Sequence, residues 1–227
     1  MDIIDDFLYN SVMAYDLFFL SHGEPIAETH WQRLVERAPY ARRVDGIDGI
    51  LAAHRQCAKL ARTTHFFVVD ADNEVLDVNF RLRLPAHDQP YVHVWRARNP
   101  VNDLVYGWGG IKLFPRRVLL VDGAMPLDMT MSFPLKIVEQ IGSITHFNSS
   151  AYDAWRSAFR ECVKLACLDD AASRARLDVW CSVAHGDFAE ECLRGARMGK
   201  CFAGEQPDQV GLINDWPWLL DKYTTCT

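Results

Sequence analysis

The apolar positions of this chain alternate between short continuous runs and helical stripes. Asp16-Leu17-Phe18-Phe19-Leu20-Ser21 is a continuous apolar run, the pattern of a strand buried on both faces. His22-Gly23-Glu24-Pro25 breaks it. The next stretch puts Trp31, Leu34, Val35 and Ala38 on one helical face. Thr29 and Gln32 have capping-box spacing before that face, and Pro39 ends it. Ala41-Arg42-Arg43-Val44 predicts a second strand, closed by Asp45-Gly46. Asp48 is positioned to cap a second helix carrying Ile50, Leu51, Ala58 and Ala61. A third strand, His65-Phe66-Phe67-Val68-Val69-Asp70, follows and ends in two carboxylates, Asp70 and Asp72. Strand–helix alternation of this kind predicts an α/β fold with a mostly parallel sheet flanked by helices.

Beyond Asp72 the pattern changes. Tyr91-Val92-His93-Val94-Trp95-Arg96 predicts a strand, and Gly107, Gly109 and Gly110 surround Trp108 ahead of the apolar run Ile111-Lys112-Leu113-Phe114. Such a glycine cluster suits either a close backbone approach to a ligand or a plain hairpin loop. The stretch from Asp153 to Ala166 has no Pro or Gly and carries the stripe Trp155, Ala158, Phe159, Cys162 and Ala166. Arg156, Arg160 and Lys164 share another face, read as solvated in preference to a row for nucleic-acid phosphates. Ser173 to Cys192 looks helical with a break at His185-Gly186-Asp187, and Trp216-Pro217-Trp218-Leu219-Leu220 reads as a tail docked on the domain. The expected organisation is a core over 1–150 and a helical C-terminal extension over 151–227, packed as one compact domain.

Composition narrows the class. The chain has 227 residues, of which 49% are hydrophobic, enough for a sizeable core. A net charge of −6 argues against a general polyanion binder and leaves room only for a local basic groove. No run reaches the roughly 18 apolar residues of a membrane span, so no membrane partner is expected. The acidic start Met1-Asp2-Ile3-Ile4-Asp5-Asp6 lacks the basic region of a signal peptide. Seven scattered cysteines, none in C-x-x-C, fit reduced thiols in a cytoplasmic protein.

The chemistry starts at Asp70 and Asp72. Ligands of open α/β sheets bind where parallel strands end. Two hard oxygen donors at such an end suit Mg²⁺ or Mn²⁺, and an ordinary turn is the competing reading. A strand–helix–strand–helix–strand order ending in D-x-D resembles the nucleotide-sugar half of a GT-A (Rossmann-like) glycosyltransferase, over roughly the first 150 residues. Ser21-His22-Gly23-Glu24-Pro25, Val69-Asp70-Ala71-Asp72, Val94 to Leu104 and Gly109 to Arg117 resemble small phage-encoded glycosyltransferases more narrowly. So does Phe147-Asn148 followed by Trp155 to Leu165. That group includes enzymes that glycosylate or arabinosylate 5-hydroxymethylcytosine in phage DNA.

The resemblance implies a role for each residue type. Asp70 and Asp72 would hold the Mn²⁺ or Mg²⁺ that offsets charge on a departing nucleoside diphosphate, with His146 or His185 as a third ligand. Ser21, His22, Gly23 and Glu24 would edge the pocket of a UDP-sugar donor. Asp45 would accept hydrogen bonds from its uracil or ribose. Gly109 and Gly110 would face donor and acceptor, and Arg96 and Arg98 would clamp phosphate. An inverting transfer needs a base, for which Asp128 is first and Asp122 second, although Asp128 also suits a helix cap. The expected function is transfer of a sugar to 5-hydroxymethylcytosine in DNA, in the host-cell cytoplasm for a phage-encoded protein. The alternatives are a glycan, lipid or small-molecule acceptor, or a non-catalytic nucleotide-binding or interaction protein. No protein partner is expected.

Overall fold

The computed structural model describes residues 14–107, 110–121 and 132–225. Its core is α/β, built on one sheet of eight strands. Strands β1 (Asp16–Ser21), β2 (Arg42–Asp45) and β3 (His65–Asp70) form where the sequence predicts strands. β1 lies between the other two and runs parallel to both. Helices α1 (Ala27–Arg37) and α2 (Ile50–Leu60) connect them. α1 packs through Ala27, Leu34 and Ala38 on the face that carries Phe19, Phe67 and Val69. α2 packs through Ala53, Cys57 and Ala58 on the opposite face, against Phe18, Phe66 and Val68.

The remaining strands are β4 (Asn73–Val75), β5 (Val92–Arg98), β6 (Val105–Tyr106), β7 (Ile111–Pro115) and β8 (Leu135–Thr145). The sheet order is β2-β1-β3-β7-β5-β8-β4, with β6 paired to β5. This corrects the expectation of a mostly parallel sheet, because the sheet is mixed. β7 runs antiparallel to both β3 and β5, and β4 and β6 also pair antiparallel. A parallel return needs a crossover of a dozen or more residues, usually a helix. The described residues between β5 and β7 contain only the short β6. β8 carries no expectation from the sequence. Its mixed run, Leu135-Lys136-Ile137-Val138-Glu139-Gln140-Ile141, lacks the continuous apolar character of the other core strands.

Neither expected helix cap forms. α1 begins at Ala27 after Ile26, before the Thr29 box, and Gln32 donates to Glu28 Oε1 instead. α2 follows Gly49, whose φ of +87° suits glycine, and Asp48 turns away to His22. A single turn, α3 (Arg116–Leu119), closes β7.

The C-terminal layer holds α4 (Ala151–Ala166), α5 (Ala171–Ser182), α6 (Ala189–Glu205) and α7 (Trp216–Thr225). Ser150 caps α4 by accepting from the Asp153 amide at 3.0 Å. α6 crosses α4 so closely that a Cβ at Gly195 or Gly199 would lie 2.3 Å from the Trp155 or Phe159 carbonyl oxygen. The aromatic tail docks as expected, with Leu219 fully buried and Trp218 against Phe159 and Phe202. Arg156, Arg160 and Lys164 are engaged rather than free. Arg156 pairs with Asp153, Arg160 donates to the Ile213 carbonyl, and Lys164 approaches Glu161. The six described cysteines form no disulfide, and no described helix is long and apolar enough to cross a membrane.

Candidate functional site

Strand register builds the site. Leu20 lies opposite Asp70 and Ser21 opposite Asp45, so the ends of β1, β2 and β3 share one sheet edge. β5 runs in the direction of β3, since both are antiparallel to β7, and delivers Arg98 to the same edge. Backbone bonds knit the loops together. The Ala71 amide donates to the Leu20 carbonyl at 2.8 Å, and the Gly46 amide to the Ser21 carbonyl at 3.0 Å.

Asp70 follows Val68 onto the face covered by α2. One of its oxygens accepts from Lys112 Nζ at 2.9 Å, and the other is buried and accepts no hydrogen bond. Lys112 is itself almost fully buried, directly across from Val68 and Val94. Buried cations are rare and are paired where they occur. Behind this pair lies His54 of α2, fully buried, whose basicity falls to about 4 because burial disfavours its charge and Lys112 repels it.

Asp72 has its carboxyl acidity weakened, to a pKa of about 7, by burial first and then by the neighbouring charges of Asp70 and Glu24. Asn73 Nδ2 donates to its Oδ1 at 2.6 Å. Asn73 in turn accepts from Ser143 and Thr145 of β8 at 2.8 and 2.7 Å. Gly110 allows this arrangement, since a Cβ there would fall 1.8 Å from Asn73 Oδ1. The Gly110 carbonyl also accepts from the Asp70 amide at 3.0 Å.

The loop after β1 supplies the rim. Glu24 accepts from the His22 amide at 2.7 Å, Gly23 takes a φ of +85°, and His22 reaches Asp48 at 3.0 Å. Ser21 donates to Asp45 and accepts from Arg43 Nε. The helical layer reaches this loop too: Trp216 sits 6.0 Å from the His22 ring, with the Arg156 guanidinium 4.3 Å over its face.

The other sequence candidates make separate contacts. Arg96 pairs with Glu139 of β8 at 2.6 Å. Arg98 is exposed at the end of β5. The His146 amide donates to the Asp72 carbonyl at 2.6 Å, but its ring turns to Glu74 at 3.0 Å. His185 pairs with Asp103 at 2.9 Å, beside the loop after β5. Asp122, Asp128 and Gly109 lie outside the described residues, as does Trp108.

Asp70 and Asp72 fit a hard divalent ion chemically. They offer oxygen donors, one of them buried without a partner, in an edge that also carries Glu24, Asp45 and Asp48. Sequence reasoning assigned no role to Lys112, Asn73 or His54. Lys112 had a usable signal, a single charge inside Ile111-Lys112-Leu113-Phe114, whereas Asn73 and His54 had none. Two surface hollows lie away from this edge, one lined by Leu193, Arg194 and Met198 and the other by Leu165, Asp178 and Lys200. Compared with protein-family models and with curated proteins, the chain matches none.

Proposed function

We propose that this chain is a divalent-cation-dependent glycosyltransferase that moves a sugar from a nucleoside diphosphate donor to the hydroxymethyl group of 5-hydroxymethylcytosine in DNA. The observation that carries the donor half is the buried, unpartnered oxygen of Asp70 beside Asp72, at the end of the third strand of a strand–helix alternation. That alternation is the part of the fold that favours a GT-A-like reading. The acceptor half rests on the resemblance of Ser21–Pro25, Val94–Leu104 and Gly109–Arg117 to phage-encoded enzymes.

When bound, a Mn²⁺ or Mg²⁺ ion would neutralise charge on the leaving diphosphate. The residues' own roles follow from their chemistry. Asp70 and Asp72 supply the oxygen ligands, and Lys112, paired with the other Asp70 oxygen, competes with the ion for its charge. His22, Gly23 and Glu24 rim the donor, and Asp45, whose Oδ1 takes Ser21 and Arg43, offers its other oxygen to a ribose or base. Exposed Arg98 stands at the same edge for a phosphate. Asp128 or Asp122 serves as the base of an inverting transfer, an assignment that rests on sequence alone. A base in duplex DNA would have to be turned out of the stack.

The test is UDP release and base mass, measured with Mn²⁺, a panel of UDP-sugars, and DNA with or without 5-hydroxymethylcytosine. The expected result is a sugar added to the modified base by the wild type and not by Asp70→Asn or Asp72→Asn. Absence of transfer with every donor would refute the acceptor. A second reading, a glycan or small-molecule acceptor, is favoured by the engagement of Arg156, Arg160 and Lys164 within the helical layer. It predicts donor turnover without retention of the protein on DNA at low salt, where phosphate contacts are strongest.

A further inference from the structure

A second set of ligand-bearing side chains meets beneath α1, separate from the Asp70 and Asp72 carboxylates. His30 comes from α1, Glu74 from β4 and His146 from the residue after β8. Their ligand atoms all lie within 4.8 Å of one another. We propose that His30, Glu74 and His146 bind a zinc-class divalent ion, which ties α1 to the β4–β8 pair and fixes the backbone that carries Asp72.

His30 carries the strongest indication. It is 3% exposed, and its Nδ1 lies 2.8 Å from the Ala71 carbonyl oxygen. A carbonyl only accepts, so Nδ1 bears the proton and Nε2 keeps a free lone pair. That Nε2 is buried and has no hydrogen-bond partner. Ligating histidines show this arrangement, with the other ring nitrogen donating to a backbone carbonyl and fixing tautomer and orientation. An ordinary His146–Glu74 ion pair would leave His30 Nε2 unsatisfied, whereas an ion satisfies it.

The other two ligands are also oriented. His146 Nε2 stands 3.0 Å from Glu74 Oε2, and the two imidazole rings are 5.5 Å apart. Arg33 donates to Glu74 Oε1 at 2.7 Å, leaving Oε2 to face the histidines. Zinc holds nitrogen and oxygen ligands at about 2.0–2.2 Å, so ligand atoms around a tetrahedral ion stand about 3.4 Å apart. Small side-chain rotations bring the triad to that spacing, and a water completes four-coordination. Two imidazoles with one carboxylate suit zinc and its transition-metal neighbours better than Mg²⁺ or Ca²⁺, which select oxygen.

The site acts on the aspartates through the chain. His30 holds the Ala71 carbonyl, His146 holds the Asp72 carbonyl through its amide, and Glu74 follows Asp72 by two residues. An ion here would immobilise the segment from Ala71 to Glu74 without touching the Asp70 or Asp72 carboxylates.

The experiment titrates Zn²⁺ and Co²⁺ into full-length, chelator-treated protein, followed by calorimetry, visible absorption and thermal melting. The expected result, with excess Mg²⁺ present to fill the carboxylate site, is one tightly bound ion per chain, a Co²⁺ spectrum of nitrogen and oxygen ligands without thiolate charge transfer, and a raised Tm. His146→Ala and Glu74→Gln should each weaken Zn²⁺ binding at least about tenfold. Asp70→Asn should leave it unchanged, which separates this site from the proposed donor site, and excess Mg²⁺ should not displace it. Imidazole ¹⁵N spectra of the wild type read the same contact without a substitution, as zinc-dependent shifts at Nε2 of two histidines. Thiolate bands, unchanged affinity in both folded variants, or unshifted imidazole nitrogens would overturn the proposal.

Discussion

The pair Lys112–Asp70 makes opposite predictions for stability and for ion binding. At 2.9 Å the charges attract by about 6 kcal/mol at an effective dielectric of about 20, and desolvation of two largely buried groups offsets most of that. Removing one partner is a different matter. Lys112→Met leaves Asp70 with no partner on either oxygen, and Asp70→Asn leaves an ammonium in a site that is 6% exposed. Each single change should cost about 3–5 kcal/mol, whereas the double change Lys112→Met with Asp70→Asn, which buries no lone charge, should cost about 1–2 kcal/mol. Urea unfolding of the four proteins gives the coupling as the departure from additivity, expected at several kcal/mol. The same variants then divide on metal. Lys112→Met removes a competing cation and frees a second oxygen, so Mn²⁺ affinity should rise while stability falls. Asp70→Asn should lose both. Additive stabilities, within about 0.5 kcal/mol, would show that the two side chains do not work as a pair. A Lys112→Met protein that folds and binds Mn²⁺ no better than wild type would refute Asp70 as an ion ligand.

Gly110→Ala drives a methyl into the Asn73 carboxamide and disrupts its bonds to Asp72, Ser143 and Thr145. It should cost about 2–4 kcal/mol in urea unfolding, and Asn73→Ala in the same background should relieve part of that loss. His54 is held near a pKa of 4 in the folded protein against an ordinary 6.5, so the unfolded chain binds the proton more readily between those values. Stability should therefore fall by about 3 kcal/mol as pH drops from about 6.5 to 4, and His54→Phe should abolish that component. Asp72, raised to about 7, acts in the opposite sense over much of the same range, so the measured quantity is the difference between wild type and His54→Phe. An ion ligated by Asp72 must displace that proton. Mn²⁺ affinity measured by calorimetry should thus rise as pH climbs toward about 7 and level off above it, a dependence that Asp72→Asn should remove.

The sequence alone specified β1 and β3, because continuous apolar runs such as Phe66 to Val69 match strands buried on both faces. It also specified α4, where an unbroken apolar stripe runs from Trp155 to Ala166. Asp70 was legible as a strand-end carboxylate because a charge directly after such a run falls where burial stops. The rest depended on contacts between distant segments. Whether β7 pairs parallel or antiparallel is decided by how the chain returns from β5, and no local pattern encodes that. The capping residues Thr29 and Asp48 carry the right chemistry, yet Asp48 is taken by His22. Ion pairing across the sheet unites Lys112 with Asp70, and Asn73 finds its partners on β8, seventy residues onward. His30, Glu74 and His146 meet only when α1, β4 and the end of β8 pack together, so their spacing in the chain is silent. Hydrophobic periodicity fixes which elements form, since it records each residue's own burial. Which polar groups face one another follows from the packing of those elements, and only the tertiary structure decides it.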